Sequence, residues 1–344
     1  MEQKIKVLIV DDAAMVRKIF SRELAKDPEI EVVGTAADAF IAREKIGQLK
    51  PDVLLLDIEM PQMDGLTFLE QLMENCPMPV IIVSSLAVEG GPAAVRAIEL
   101  GAAEVIAKPG PSYSVMEMTE QLIEKIKAVA RIKKGKSFLA TDTGTAVSLP
   151  DKARENASNK VIVIGAATGG PEAVTSLLTR LPAGMPPILI VQQMPAHFIK
   201  AFAESLNKLC ALEVKEAESR ELLSAGKVLL APGNKHLVLQ RNNEGYIVVV
   251  KDGPLVLHQR PSIEVLFRSA AMYAGPDAIG VLLTGMGKDG AQGLLDMKKA
   301  GALTLALDEN SCAVYGMAKE AVDVGAVTKV VSLDELPQVL VDNL

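Results

Sequence analysis

Histidine and cysteine are scarce in this chain, with three of each among 344 residues. Cys76, Cys210 and Cys312 are widely spaced and form no CxxC pair, so the sequence suggests neither a cysteine zinc site nor a disulfide framework. His197, His236 and His258 fall on separate segments with no carboxylate spaced as a co-ligand, which argues against a histidine zinc site as well. Long apolar runs are also missing. None reaches the roughly 18 residues that span a bilayer, and the opening MEQKIKVLIVDD enters a strand too short for the apolar region of a signal peptide. A cytoplasmic location without membrane insertion is therefore expected. Finally, basic charge is not in excess: the net charge is -7, which argues against a phosphate-tracking surface, since that needs clustered Lys and Arg. Nucleic acid is not an expected partner.

What is present is apolar material, 49% of the residues, enough for a large core and for two domains at this length. From Ile5 to Lys108, the strands IKVLIV, PDVLLLD, PVIIVS and EVIAK alternate with helical stretches. Their near-continuous hydrophobicity suits a doubly wound parallel sheet covered on both faces. Ser114 and Glu117 form a capping-box pattern ahead of an amphipathic stripe, Val115, Met118, Leu122, Ile126 and Val129, which closes a first domain over 1–125. A polar, aperiodic linker follows over 126–159. The second α/β domain, 160–344, has the buried strands VIVIG, PPILIVQQ, AIGVLLTG and ALTLAL, and KHLVLQR and YIVVVK are spaced as an antiparallel hairpin.

Ligands of open parallel sheets bind beyond the carboxyl ends of the strands. In the first domain those ends carry Asp11, Asp12, Asp57, Ser84 and Lys108. Three converging carboxylates repel one another unless protonated or bridged, and oxygen-only ligands point to Mg²⁺. A carboxylate beside such an ion can accept a phosphoryl group. Taken one at a time, each Asp is equally readable as a helix cap and Lys108 as a solvated loop residue. Together, with LLLDIEMPQMDGL after the third strand and Lys108-Pro109 after the fifth, they resemble the receiver domain of two-component response regulators. The resemblance implies a flavodoxin-like fold and Mg²⁺ held by Asp11, Asp12, Asp57 and the backbone of Glu59. It also implies phosphorylation of Asp57 by a chemotaxis histidine kinase, and a Ser84/Lys108 switch pair.

In the second domain GAATGGPEA, QQMPAHF and LTGMGKDG each follow a strand, so all three can meet in one crevice. With APGNKH and RPSIEVLF, they resemble the chemotaxis protein-glutamate methylesterase (CheB) family over essentially the whole chain. The resemblance implies methyl-ester hydrolysis and glutamine deamidation on methyl-accepting chemoreceptors, with a crevice covered by the unphosphorylated receiver. It implies a Ser-His-Asp triad in which Asp289 is the acid and Met286 lies in the oxyanion region. The serine position, however, holds Ala167 and the histidine position holds Gln193. A further departure is His258-Gln259 ahead of Arg260, where the family commonly has histidine next to the arginine. Alanine has no lone pair, and a carboxamide does not shuttle protons near neutral pH. Hydrolysis is therefore expected to be lost.

The alternative is an active methylesterase, either an engineered variant or one that uses Thr168 or His197 in a non-standard arrangement. Asp289 is also readable as a plain N-cap of the helix GAQGLLDMKKA. GAATGG as a nucleotide-phosphate cradle lacks the Lys-Ser/Thr of a P-loop and the full GxGxxG spacing.

Overall fold

A computed structural model of the protein describes residues 4–84, 91–108, 115–131, 146–151 and 159–344. The chain divides into two compact units, Met1–Ala140 and Thr141–Leu344. Ser114 and Pro109 lie outside the described residues, as does most of the expected linker.

In the first unit, strands β1 (Ile5–Val10), β2 (Ile30–Ala36), β3 (Val53–Leu56), β4 (Val80–Ser84) and β5 (Glu104–Ala107) form one sheet in the order β2-β1-β3-β4-β5. Every neighbouring pair is parallel. All residues of β3 and β4 are buried. Their unbroken hydrophobicity follows from this, because helices cover both faces of a parallel sheet. Those helices are α1 (Ala14–Leu24), α2 (Ala39–Leu49), α3 (Gly65–Asn75), α4 (Gly91–Glu99) and α5 (Val115–Ala130). On α5 the stripe Met118, Leu122, Ile126 and Val129 is buried, and the helix continues past residue 125 to Ala130. Strand order reverses between β1 and β3, so a crevice opens at their carboxyl ends.

The second unit holds β6 (Val161–Ala166), β7 (Ile188–Gln192), β8 (Glu213–Glu216), β9 (Glu221–Leu222), β10 (Lys227–Leu230), β11 (His236–Asn242), β12 (Gly245–Lys251), β13 (Ala278–Leu282), β14 (Leu303–Leu307) and β15 (Lys329–Val331). Seven of these form a parallel sheet in the order β15-β14-β13-β6-β7-β10-β8. The hairpin β11–β12 is antiparallel, as its sequence indicates, and β9 adds a third strand at its edge. Helices α6 (Gly170–Leu178), α7 (Ala196–Leu209), α8 (Ile263–Tyr273), α9 (Ala291–Lys299), α10 (Met317–Asp323) and α11 (Leu336–Asp342) complete the unit.

The core lies between the sheet, the hairpin and α8, where Leu266, Phe267, Leu294 and Met297 are fully buried. Burying each such side chain contributes about 1.5–3 kcal/mol. Helices α8 and α9 approach closely because α9 carries Gly293, where a Cβ would lie only 2.8 Å from that of Phe267. This approach brings the loop before α9, which carries Asp289, to the start of α8. The switch in strand order falls around β6, with β13 on one side and β7 on the other. The three glycine- and glutamine-bearing stretches follow these three adjacent strands.

Candidate functional site

In the first unit the acids converge as their strand-end positions require. Carboxylate oxygens of Asp11, Asp12 and Asp57 lie within 4.8 Å of one another. Lys108 Nζ reaches Asp57 Oδ2 at 2.6 Å and Asp11 Oδ2 at 2.7 Å. Asp57 is 2% exposed, and its Oδ1 is sealed from solvent with no hydrogen-bond partner. Burial pushes the Asp57 carboxyl up to about 6, against the opposing pull of Lys108. Burial lowers Lys108, yet its contacts with Asp11 and Asp57 outweigh that and hold its ammonium above the usual range.

The capping role falls to other aspartates in this unit. Asp64 accepts the Leu66 and Thr67 amides at the start of α3, and Asp38 accepts that of Ile41 at the start of α2. Asp11 Oδ1 accepts the Ala13 amide. Ser84 is buried at the end of β4, and its carbonyl accepts the Lys108 amide at 2.9 Å. Glu59 is exposed on the loop after Asp57. An all-oxygen donor set around an unsatisfied buried carboxylate oxygen fits a hard divalent cation such as Mg²⁺.

In the second unit three loops meet at the carboxyl ends of β6, β7 and β13. The Ala167 amide donates to Thr284 O at 3.0 Å, and the Gln193 amide donates to Ala166 O at 2.9 Å. Gln192 Nε2 donates to Ala167 O at 2.9 Å, which pins the turn from the neighbouring strand. Gly169 opens α6 with φ of 74°, and a Cβ there would collide with Ala313. A Cβ on Gly170 would collide with Gln192 Oε1. The two glycines thus serve close packing of a strand-to-helix turn, with Ala167 at its apex and 6% exposed. Gly285 lies against Ala167, because a Cβ on that glycine would fall 2.7 Å from Ala167 Cβ. Met286 follows on the same loop and is half-buried.

Asp289 is the hub of this crevice. It is 4% exposed and accepts Ser262 Oγ at 2.8 Å, the Ile263 amide at 2.8 Å and the Glu264 amide at 3.0 Å. Its fourth donor is Gln193 Nε2, 2.7 Å from Oδ2. Burial raises its pKa, opposed by Ser262 and the two amides. The plain-cap reading of Asp289 is corrected here. The helix GAQGLLDMKKA starts after Gly290 without a side-chain cap, and the Asp289 carboxylate caps α8 instead. No sequence rule reveals a cap supplied across 26 positions; the only signal was Ser262 placed directly before an apolar helical run. His236 is buried behind the site, with Nδ1 accepting the Ser262 amide at 3.3 Å and Nε2 facing Pro254 O at 2.9 Å.

The two substitutes considered from sequence are placed differently. Thr168 is 5% exposed, and its carbonyl accepts Thr284 Oγ1 at 3.0 Å. His197 is half-buried against Phe198, with ring centroids 4.1 Å apart, and its Nε2 has no partner among the described residues. Burial lowers its pKa. It takes no part in the hydrogen bonding of Asp289, whose four donors are all other groups.

Family models match both units: "CheB methylesterase" over residues 162–340 and "Response regulator receiver domain" over 7–120. The chain belongs to the CheB methylesterase family. It is 55% identical over 98% of its length to "Protein-glutamate methylesterase/protein-glutamine glutaminase 2" of Syntrophus aciditrophicus, 98% of which is covered. It is 46% identical over 97% of its length to "Protein-glutamate methylesterase/protein-glutamine glutaminase 3" of Geobacter metallireducens, again with 97% of that protein covered. Among solved structures, the CheB methylesterase catalytic domain of Thermotoga maritima is matched in full by 54% of this chain, at 35% identity and a TM-score of 0.53. The crevice holding Ala167, Gln193 and Asp289 thus lies in the CheB-type domain, and the acidic pocket lies in a receiver domain. None of the described helices is long and apolar enough to cross a membrane.

Proposed function

We propose that this chain is a phosphorylation-controlled chemotaxis regulator whose CheB-type domain binds chemoreceptor side chains without hydrolysing them. One observation carries the reading: Gln193 Nε2 donates to Asp289 Oδ2 at 2.7 Å, a carboxamide on the acid where an imidazole would be needed. Ester hydrolysis by a serine triad needs an attacking oxygen, an imidazole that takes and returns its proton, and an acid that orients the imidazole. Asp289 keeps the orienting position but orients a carboxamide, and the apex of the turn offers no oxygen. Losing the serine or the histidine of such a triad lowers turnover on the order of 10⁶-fold.

Control is assigned to the receiver. Asp57 accepts a phosphoryl group from a chemotaxis histidine kinase, Lys108 pairs with the new phosphate oxygens, and Ser84 follows them. Asp11, Asp12, Asp57 and the Glu59 carbonyl would hold Mg²⁺, which would supply positive charge offsetting the three carboxylates. Phosphorylation then switches the CheB-type domain on, and the domain acts by occupying receptor methylation sites in competition with an active enzyme. The test is to restore the missing chemistry. The double change Ala167→Ser, Gln193→His, treated with acetyl phosphate and Mg²⁺, is expected to release methanol from methylated chemoreceptor. A correctly folded double variant that stays silent would count against a preserved crevice.

A further inference from the structure

The first amides of a helix need acceptors from outside it, usually from the residue at the N-cap. Ser262 and Gly290 stand at the N-caps of α8 and α9, and neither supplies a side-chain acceptor to its own helix. Each helix takes one from the other instead. Asp289, in the loop that leads into α9, accepts the Ile263 and Glu264 amides of α8 at 2.8 and 3.0 Å. Glu264, on the first turn of α8, answers in kind: its Oε2 accepts the Gly293 amide of α9 at 2.8 Å. The two helix starts meet closely enough that a Cβ on Gly290 would collide with Ile263, and one on Gly293 would lie 3.1 Å from Glu264 O. Glu264 is 3% exposed, and Arg268 Nη2 lies 2.8 Å from its Oε1. Burial raises its pKa, opposed by the Gly293 amide and Arg268, while the charge of Asp289 adds to the rise. A second buried acid near Asp289 is electrostatically unfavourable, so packing alone does not call for a carboxylate at this position.

We infer that Glu264 is a positioning residue of the crevice: by capping α9 at Gly293 it fixes the loop that carries Asp289, and through Asp289 it fixes how residue 193 is held. Asp289 Oδ2 takes both the Ile263 amide and Gln193 Nε2, at 2.8 and 2.7 Å, so a shift of the loop against α8 strains the bond to Gln193 directly. The two caps act as a clasp. Without the Glu264 acceptor the first turn of α9 loosens, and the acid just ahead of that turn loses its fixed distance to α8. The inference goes beyond the non-hydrolytic reading and does not depend on it, since the acid must be held whether it orients a carboxamide or an imidazole.

The experiment follows the side-chain NH₂ of Gln193 in the full, isotopically labelled chain by NMR, its signal assigned by its disappearance in Gln193→Met. Glu264→Gln keeps an acceptor for the Gly293 amide and should leave the exchange of the Gln193 NH₂ with water within about twofold of the unaltered rate. Glu264→Leu removes the acceptor. Exchange at Gln193 and at the Gly293 and Ile263 amides should then be about tenfold faster, the size of a lost cap, while the Ile190 amide of β7 keeps its rate. Glu264→Met repeats the measurement with a side chain of nearly the same length, should Leu not fold. Three results would overturn the inference: an unchanged Gln193 signal in a folded Leu or Met variant, acceleration at Ile190 as large as at Gln193, or a Gln variant that behaves like Leu. Failure of both Leu and Met variants to fold would also overturn it, since Glu264 would then support the whole unit rather than the loop. None of these outcomes bears on whether the unaltered crevice releases methanol.

Discussion

Asp57 and Asp289 occupy comparable places in the two units. Each follows a strand beside the switch point of a parallel sheet, and each is almost wholly buried. Their partners differ in kind. Asp57 keeps one oxygen with no hydrogen bond and shares the other with a lysine, in a pocket with two more acids. Asp289 has four donors, among them Gln193 in the position from which a base would act. A carboxylate left short of partners is held ready for a cation or a phosphoryl group, whereas a saturated one orients the groups that donate to it. The proposed roles follow this difference, a phosphoryl acceptor in the receiver and a binding crevice in the CheB-type domain.

The sharpest way to break this comparison is to give the second site a serine and a histidine. Ala167→Ser with Gln193→His should raise methanol release from methylated receptor by at least about 10³-fold, while each single change stays at background, since triad members act as a unit. Equal gains from either single change would show that the two positions act independently. At the other site, Asp57→Asn should abolish phosphate incorporation from acetyl phosphate, as should chelation of Mg²⁺. Continued labelling of the variant would place the acceptor elsewhere.

The receiver pocket was legible because each of its groups ends a strand whose apolar run is unmistakable, so the residues that meet could be named before any fold was known. The crevice was legible only in part. The loops bearing Ala167, Gln193 and Asp289 follow apolar strands and were placed together correctly. What Asp289 does there depends on Ser262, Ile263 and Glu264, brought to it by the α8–α9 approach, and nothing in a linear pattern encodes that. Strands β8 and β10 escaped notice because EVKE and KVLL are only four residues long, and EVKE, at the sheet's edge, is mostly polar. The hairpin was legible because NNEG punctuates two alternating runs.

Smaller effects sharpen the contrast. Asp289→Ala leaves Ser262 and two buried amides without an acceptor and should cost about 3 kcal/mol or more in the second unit, measured by hydrogen exchange on the intact chain. Asp57 behaves in the opposite sense. Its folded pKa, about 6, stands above the unfolded value of 3.8, so between these pH values the folded receiver holds the extra proton. Without Mg²⁺ the stability of the receiver should therefore fall as pH rises from about 4 to 6, by about 2–3 kcal/mol, and remain lower above that window. Asp57→Asn should flatten this profile.

The smallest effect concerns the turn that leads into the crevice. Val256 and Gln259 form a bridge across Leu257 and His258, both with positive φ (51° and 64°). That is a type I′ geometry suited to Asn-Gly, so Leu257→Asn with His258→Gly should stabilise the second unit by about 1 kcal/mol. An unchanged melting temperature would deny that the turn is strained.

The central claim, that the CheB-type crevice binds without cleaving, meets its most direct test in the unaltered chain. Purified, phosphorylated protein is mixed with methylated chemoreceptor, and methanol is followed against receptor alone. The account requires the two traces to coincide over many hours while receptor remains bound. Turnover above the receptor-alone trace, abolished by His197→Ala or Thr168→Val, would contradict it.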